Sequence, residues 1–132
     1  MLQTRFRFHG YNGLKYLFKQ GKTVRARSMA LRYAQNPRRT DSRCAVVVAK
    51  KVLKSAPKRN RVRRRIYEVI RTQWLSIAPG YDLLFTVYEP HLWDMPAGEV
   101  SKAIIGLLQQ AKLWRMDTSP VTRAADQTDA LN

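Results

Sequence analysis

The sequence predicts an α+β domain in which helices pack on a small sheet, and three observations predict it. Three segments repeat apolar residues at helical spacing, two short runs are rich in Val or Leu, and one run alternates apolar with polar residues. Breakers fall between these segments at Gly21, Pro37, Pro79 and Gly80. With 132 residues, 45% hydrophobic and 26% charged, the chain fits one domain with a single modest core.

Residues 11–20 set Leu14, Leu17 and Phe18 on one stripe, predicting a first helix that Gly21 stops. Residues 27–34 alternate, with Met29, Leu31 and Tyr33 on one face and Ser28 and Arg32 on the other, predicting a strand covered on one side. Arg32 is thereby expected to line whichever sheet face the helices leave open. Asn36-Pro37 marks a turn. Residues 43–49 form a near-continuous Val-rich run, predicting a strand buried on both faces. Ser55 as N-cap and Pro57 in the first turn predict a second helix to about Trp74, with Val62, Ile66, Val69 and Ile70 toward the core. Residues 82–88 read as another buried strand, closed by Glu89-Pro90. Asp94 is the expected N-cap of a third helix, with Pro96 near its start and Val100, Ile104, Leu107, Leu108 and Ala111 on its apolar face. This order predicts helices over one sheet face, the two Val/Leu-rich strands central and the alternating strand nearer an edge. Residues 1–114 form the domain, and residues 115–132, small and polar, are expected to be a disordered tail.

The formal net charge of +16 is unevenly spread. Residues 1–71 hold 21 Lys/Arg against Asp41 and Glu68, whereas residues 72–132 hold 4 Lys/Arg against 7 acids. Charge concentrated in half a chain points to a footprint for an anionic partner. No run approaches the ~20 apolar residues that span a bilayer, and the N-terminus lacks the apolar block of a signal peptide. Cys44 is the single cysteine, within an apolar run, and is expected to be a buried small hydrophobe, in keeping with a cytoplasmic location.

No catalytic constellation is visible. The acids outside the tail are scattered singly, with no Asp-x-Asp, no Glu-x-x-His and no Gly-rich phosphate loop. One Cys with His9 and His91 cannot supply a structural zinc site, and both histidines are expected at the surface. Binding is better supported. Between Lys50 and Arg71 lie ten Lys/Arg among twenty-two residues, with Glu68 the single acid. Arg61 and Arg65 fall one turn apart, opposite the apolar stripe, with Arg64 and Arg71 flanking them. Arginine's planar fork suits phosphate, and Asn60 adds a neutral donor and acceptor. Lys50, Lys51, Arg59, Asn60, Arg61, Arg63, Arg64, Arg65 and Arg71 are therefore the expected nucleic-acid surface. A second candidate surface lies in residues 1–39, where ten Lys/Arg and no acid are interspersed with Phe6, Phe8, Tyr11, Tyr16 and Phe18. Bases stack on such aromatics while phosphates follow the cations. For Phe18, Arg32 and Tyr33, core packing and single-strand binding both stay open; for Leu14 and Leu17 packing is favoured.

From Val48-Ala49-Lys50-Lys51-Val52, through Ala56, to Arg59-Asn60-Arg61-Val62-Arg63-Arg64, the chain resembles the protein subunit of bacterial ribonuclease P. That family carries a valine-rich strand ending in Lys-Lys, then about a dozen residues, then Arg-Asn-Arg opening a basic helix. The resemblance spans residues 5–114 and includes Phe18-x-x-Gly21, Arg43, the 82–88 strand with Glu89-Pro90, and the last helix to Trp114. It implies a two-layer α/β sandwich with a mixed four-stranded sheet, about three helices and a left-handed βαβ crossover (ribosomal protein S5 domain 2-like), against the usual right-handed preference. It implies a catalytic RNA as partner and precursor tRNA as substrate, whose 5′ leader is removed by an endonucleolytic cut. The catalytic groups and the Mg2+ ions would be held mainly by the RNA. Lys50, Lys51, Arg59, Asn60, Arg61, Arg64 and Arg65 would face that RNA, with Arg63 and Arg71 on the same helix. Phe18 and Arg32 would line a leader-binding cleft, with Tyr33 and with Leu14, which stands where the family has an aromatic. The alternative is a ribosomal or other structural RNA-binding protein, which shares the charge asymmetry and needs no such cleft.

Overall fold

Four strands hydrogen-bond in the order β1 (Lys22–Arg25), β2 (Met29–Gln35), β4 (Tyr81–Val87), β3 (Arg43–Val48) in the computed structural model, which describes residues 11–37 and 40–115, with side chains from Lys15 onward. The β1/β2 and β2/β4 pairs are antiparallel and β3/β4 is parallel, so the sheet is mixed. Three helices complete the α+β fold: α1 (Tyr11–Gln20), α2 (Ala56–Thr72) and α3 (Ala97–Gln110).

The two sheet faces are covered unequally. Met29, Leu31, Cys44, Val46, Leu83, Phe85 and Val87 pack against Val62, Ile66 and Ile70 of α2 and Ile104, Leu107 and Leu108 of α3. Each fully buried side chain of that size contributes about 1.5–3 kcal/mol, so this layer dominates stability. On the opposite face Leu17 of α1 forms a smaller cluster with Ala34, Leu84 and the half-buried Ala45. Helices therefore lie on both faces rather than one. The reason is β4, whose adjacent Leu83 and Leu84 point to opposite sides and are both buried.

The strand order corrects the sequence reading. β3 is an edge strand with Val47 42% exposed, whereas the alternating β2 is internal. Valine suits any pleated strand, so a Val run resembles double burial even where cover stops at Ala45. The edge beyond β2 is β1, Lys-Thr-Val-Arg, mostly exposed and too short and polar to carry a strand pattern. Its pairing from Lys22↔Tyr33 to Arg25↔Ala30 makes the fourth strand.

Local chemistry sets the boundaries. Gly21 follows α1 because a Cβ there would sit 2.4 Å from the Leu17 carbonyl oxygen. Gly80 turns into β4 at φ 83°, the left-handed region. Ser55 caps α2, its Oγ accepting from the Lys58 N–H at 3.4 Å, and the helix buries Tyr67 in addition to the expected residues while Val69 is half-buried. α2 stops at Thr72, and a 3-10 turn covers Trp74–Ser76. Asp94 does not cap α3. Pro90 opens a 3-10 turn over Pro90–Trp93 that closes on Asp94, whose N–H donates to the His91 carbonyl, and Pro96 occupies the α3 N-cap. The 115–132 segment lies outside the described residues except for Arg115, whose N–H donates to the Ser76 carbonyl at 2.6 Å beside the Ile77–Trp114 bridge. Burial pushes the Cys44 thiol far above its ordinary range, so it is a packing residue.

A buried carboxylate ties the strand ends beneath α1. Asp82, 1% exposed, accepts from Arg43 Nε and an Arg43 terminal nitrogen, and from Asn36 Nδ2, each at 3.1 Å. These bonds link the end of β2 with the starts of β3 and β4. Asp82→Ala strips three hydrogen bonds of their acceptor beside a buried charge and is expected to lower unfolding free energy by about 2–4 kcal/mol in urea titration.

Candidate nucleic-acid interface

Helical periodicity splits α2 into two faces. Val62, Ile66, Tyr67 and Ile70 are buried, while Asn60, Arg61, Arg64, Glu68 and Arg71 are exposed and Arg59, Arg63 and Arg65 half-buried. Backbone carbonyls position several of the guanidinium groups. Arg59 folds back onto the preceding loop and donates to the Leu53 and Lys54 carbonyls at 2.8 and 3.0 Å. Arg61 Nε donates to the Trp93 carbonyl at 2.7 Å. Arg65 donates to the Leu92 carbonyl at 2.8 Å and to that of Met95. The Lys58 ammonium stands 4.2 Å from the centroid of the Trp93 ring, a cation–π contact. Segment 90–95 thus receives three cations from α2.

These contacts orient cations without neutralising them, because a carbonyl carries only a partial charge. Arg65 is held below its ordinary pKa, chiefly by burial and then by Arg61 nearby, yet arginine stays charged in proteins. Asn60 Oδ1 accepts from the Arg63 guanidinium. Arg64 is exposed and has no hydrogen-bond or ion-pair partner among the described residues. Arg71, at the far end of α2, forms an ion pair with Glu68 and holds that carboxyl down at about 2, so Glu68 is ionised at neutral pH. Lys50 and Lys51 are exposed on the turn after β3.

The structure therefore gathers Arg59, Asn60, Arg61, Arg63, Arg64 and Arg65 on one helix beside the lysine turn, and leaves Arg71 compensated by an acid. Sequence reasoning missed segment 90–95. A tryptophan in a proline-bounded turn was its one visible cue.

The second candidate surface divides. Arg32 does lie on the face of α1: Nε donates to the Leu17 carbonyl at 3.0 Å, one terminal nitrogen to the Phe18 carbonyl and the other to Thr23 Oγ1 at 2.8 Å. It thereby satisfies carbonyls at the C-terminus of α1, where a cation also suits the helix dipole. Its guanidinium carbon is 5.9 Å from the Phe18 ring centroid, and Phe18 is 57% exposed. Past α1 this sheet face carries Ala30, Thr86 and the exposed Val47, with Arg25 donating to the Tyr88 hydroxyl at 3.0 Å. Arg25 and the exposed Tyr88 extend the strip and were not singled out from the sequence.

Tyr33 does not belong to this strip. Strand alternation turns it to the other face, where it packs on the main core. Leu14 lies on α1, but its side chain falls outside the described residues.

Comparison with known proteins places this geometry in context. The ribonuclease P family profile matches residues 3–112. The ribonuclease P protein component of Roseiflexus castenholzii is 39% identical over 93 residues, spanning 70% of this chain and 75% of that protein. Its counterpart in Chloroflexus aurantiacus is 34% identical over 110 residues, 83% of this chain and 80% of that protein. Among solved structures, the Staphylococcus aureus RNase P protein has TM-score 0.74 at 21% identity, covering 83% of this chain and 97% of that one. The RNase P protein from Thermotoga maritima has TM-score 0.71 at 21% identity, covering 79% and 96%. The solved structures share the fold.

Two polar links join α1 to the sheet, the Tyr16 hydroxyl donating to the Gln35 carbonyl at 3.1 Å and the Arg32 guanidinium, and Arg32 tests this architecture most directly. Arg32→Ala is expected to cut hydrogen-exchange protection of α1 amides about tenfold while leaving α2 unchanged, the effect of losing roughly 1–1.5 kcal/mol of local hydrogen bonding.

Proposed function

The chain belongs to the ribonuclease P protein family, and on that premise we infer that this subunit docks on a catalytic RNA through α2 and holds the 5′ leader of precursor tRNA along the strip between α1 and the sheet. The observation that carries the docking assignment is the outer face of α2. Arg61 and Arg65 are positioned by carbonyls and retain their charge, Arg64 is exposed, and Glu68, the one acid of the helix, is occupied by Arg71. Such a surface offers a phosphate backbone bidentate donors already in place. The strip suits a single strand, with Phe18 and Tyr88 available for stacking and Arg25 and Arg32 beside them. Tyr33 has no part in it.

The cut itself is assigned to the RNA, whose phosphates hold the required Mg2+. Magnesium demands several oxygen ligands in octahedral geometry. Among the described residues no three His, Cys, Asp or Glu side chains converge, and Asn60 is engaged by Arg63 among cations. The protein's contribution is to bind and position RNA and substrate. A ribosomal or other structural RNA role is not favoured, since the relatives and the family profile are those of ribonuclease P. No helix among the described residues is long and apolar enough to cross a membrane, and we place the complex in the cytoplasm with its tRNA substrates.

Added to the catalytic RNA and precursor tRNA at low magnesium, the protein is expected to accelerate removal of the leader; no acceleration there refutes the assignment. In filter binding, affinity is expected to fall with salt by about 0.7–0.9 log units per log unit of salt for each neutralised phosphate. Arg64→Ala, which removes no hydrogen bond or ion pair within the described residues, is expected to weaken RNA binding by about 1–3 kcal/mol at unchanged melting temperature. Glu68→Gln releases Arg71 and is expected to tighten binding and steepen the slope by about 0.7–0.9, one further phosphate.

A further inference from the structure

The groove between α2 and the start of α3 has a cavity volume of about 660 Å³, within the ordinary range for small-ligand sites. Its composition differs from that of the rest of the basic face. Val69, Ala97 and the almost wholly buried Val100 contribute apolar lining, and Arg61, Arg64 and Arg65 contribute cations. The Glu68 carboxylate at its edge is already paired with Arg71. The Ser101 hydroxyl lines the wall. So does that of Thr72, which donates to the Val69 carbonyl at 2.9 Å and keeps its acceptor lone pairs. Gly98 stands at the mouth, where an added Cβ would meet nothing within 4 Å.

A surface that only collects backbone phosphates needs cations and no apolar lining. Apolar lining beside arginines suits a nucleobase, whose π-face packs on apolar atoms and guanidinium planes. The charge complementarity selects an anion-bearing ligand, and Arg65, disfavoured in its charged form by burial and by Arg61, is relieved by one. We propose that this groove receives one unpaired nucleotide of the docked RNA, its base against Val69 and Ala97 and its phosphate among Arg61, Arg64 and Arg65. The proposal rests on α2 being the RNA-docking face. It adds a site for a base to a surface otherwise assigned to phosphate contacts.

The test titrates the isotope-labelled full chain with adenosine 5′-monophosphate and, in parallel, with inorganic phosphate. The nucleotide is expected to shift the amides of Val69, Gly98 and Ser101 saturably and to bind about tenfold more tightly than phosphate. Gly98→Met, which projects a side chain into the mouth, is expected to weaken both nucleotide and RNA binding about tenfold, with melting temperature and RNA salt slope unchanged, because phosphate contacts set the slope and a base contact does not. Gly98→Ala serves as the folding control and is expected to bind like the wild type. Equal binding of phosphate and nucleotide, or nucleotide shifts confined to α1 and the sheet strip, overturns the proposal. A steep RNA salt slope with no response to Gly98→Met overturns the groove alone and leaves docking intact. A flat slope in the wild type removes the docking reading, and with it RNA as the source of the nucleotide.

Discussion

Mutual repulsion of like charge on α2 is the constraint around which this protein is arranged. Arginines three and four residues apart on a helix destabilise it, and carboxylate partners would cancel the charge that an RNA needs. The structure answers with backbone carbonyls. Leu92, Trp93 and Met95 accept from Arg61 and Arg65, and the Trp93 ring receives Lys58. Carbonyl dipoles fix direction and leave net charge intact, so the helix reaches its partner with less conformational entropy to lose. Two acids depart from this pattern: Glu68 occupies Arg71 at the far end, and Asp94 favours the charged form of Arg65 through space.

The same frugality with acids shapes the other face of the sheet. Arg32 serves two purposes there, completing the hydrogen bonds of the α1 C-terminus and standing beside Phe18. α1 is held over the sheet by a small cluster around Leu17, by this guanidinium and by the Tyr16 hydroxyl on the Gln35 carbonyl. A helix so lightly anchored covers only part of the face. Among the described residues, α1 leaves Arg25, Val47 and Tyr88 of that side exposed. Asp82 beneath the cluster supplies the one deeply buried carboxylate among the described residues and fastens the strand ends on which α1 rests.

Much of this was legible in the chain. The three helices, the capping by Ser55, the stop at Gly21 and the basic face of α2 all follow from interactions within a few residues, which spacing records directly. The Arg-Asn-Arg element with its preceding valine strand likewise pointed to the family that the profile match supports. The misplaced features depend on neighbours distant in sequence. Strand β1 exists because β2 lends it a partner, and β3 became an edge because β4 paired between it and β2. Asp94 lost its capping role to a 3-10 turn begun by Pro90.

By itself the sequence determined that a folded, strongly cationic helix would form, since charge and apolar period are local properties of the chain. Only the tertiary structure decided which cations are held by carbonyls, that Arg25 and Tyr88 meet on the strip, and that α2 and α3 enclose a groove. Each of those outcomes depends on residues brought together from tens of positions apart, and such contacts leave no periodic trace in the order of amino acids.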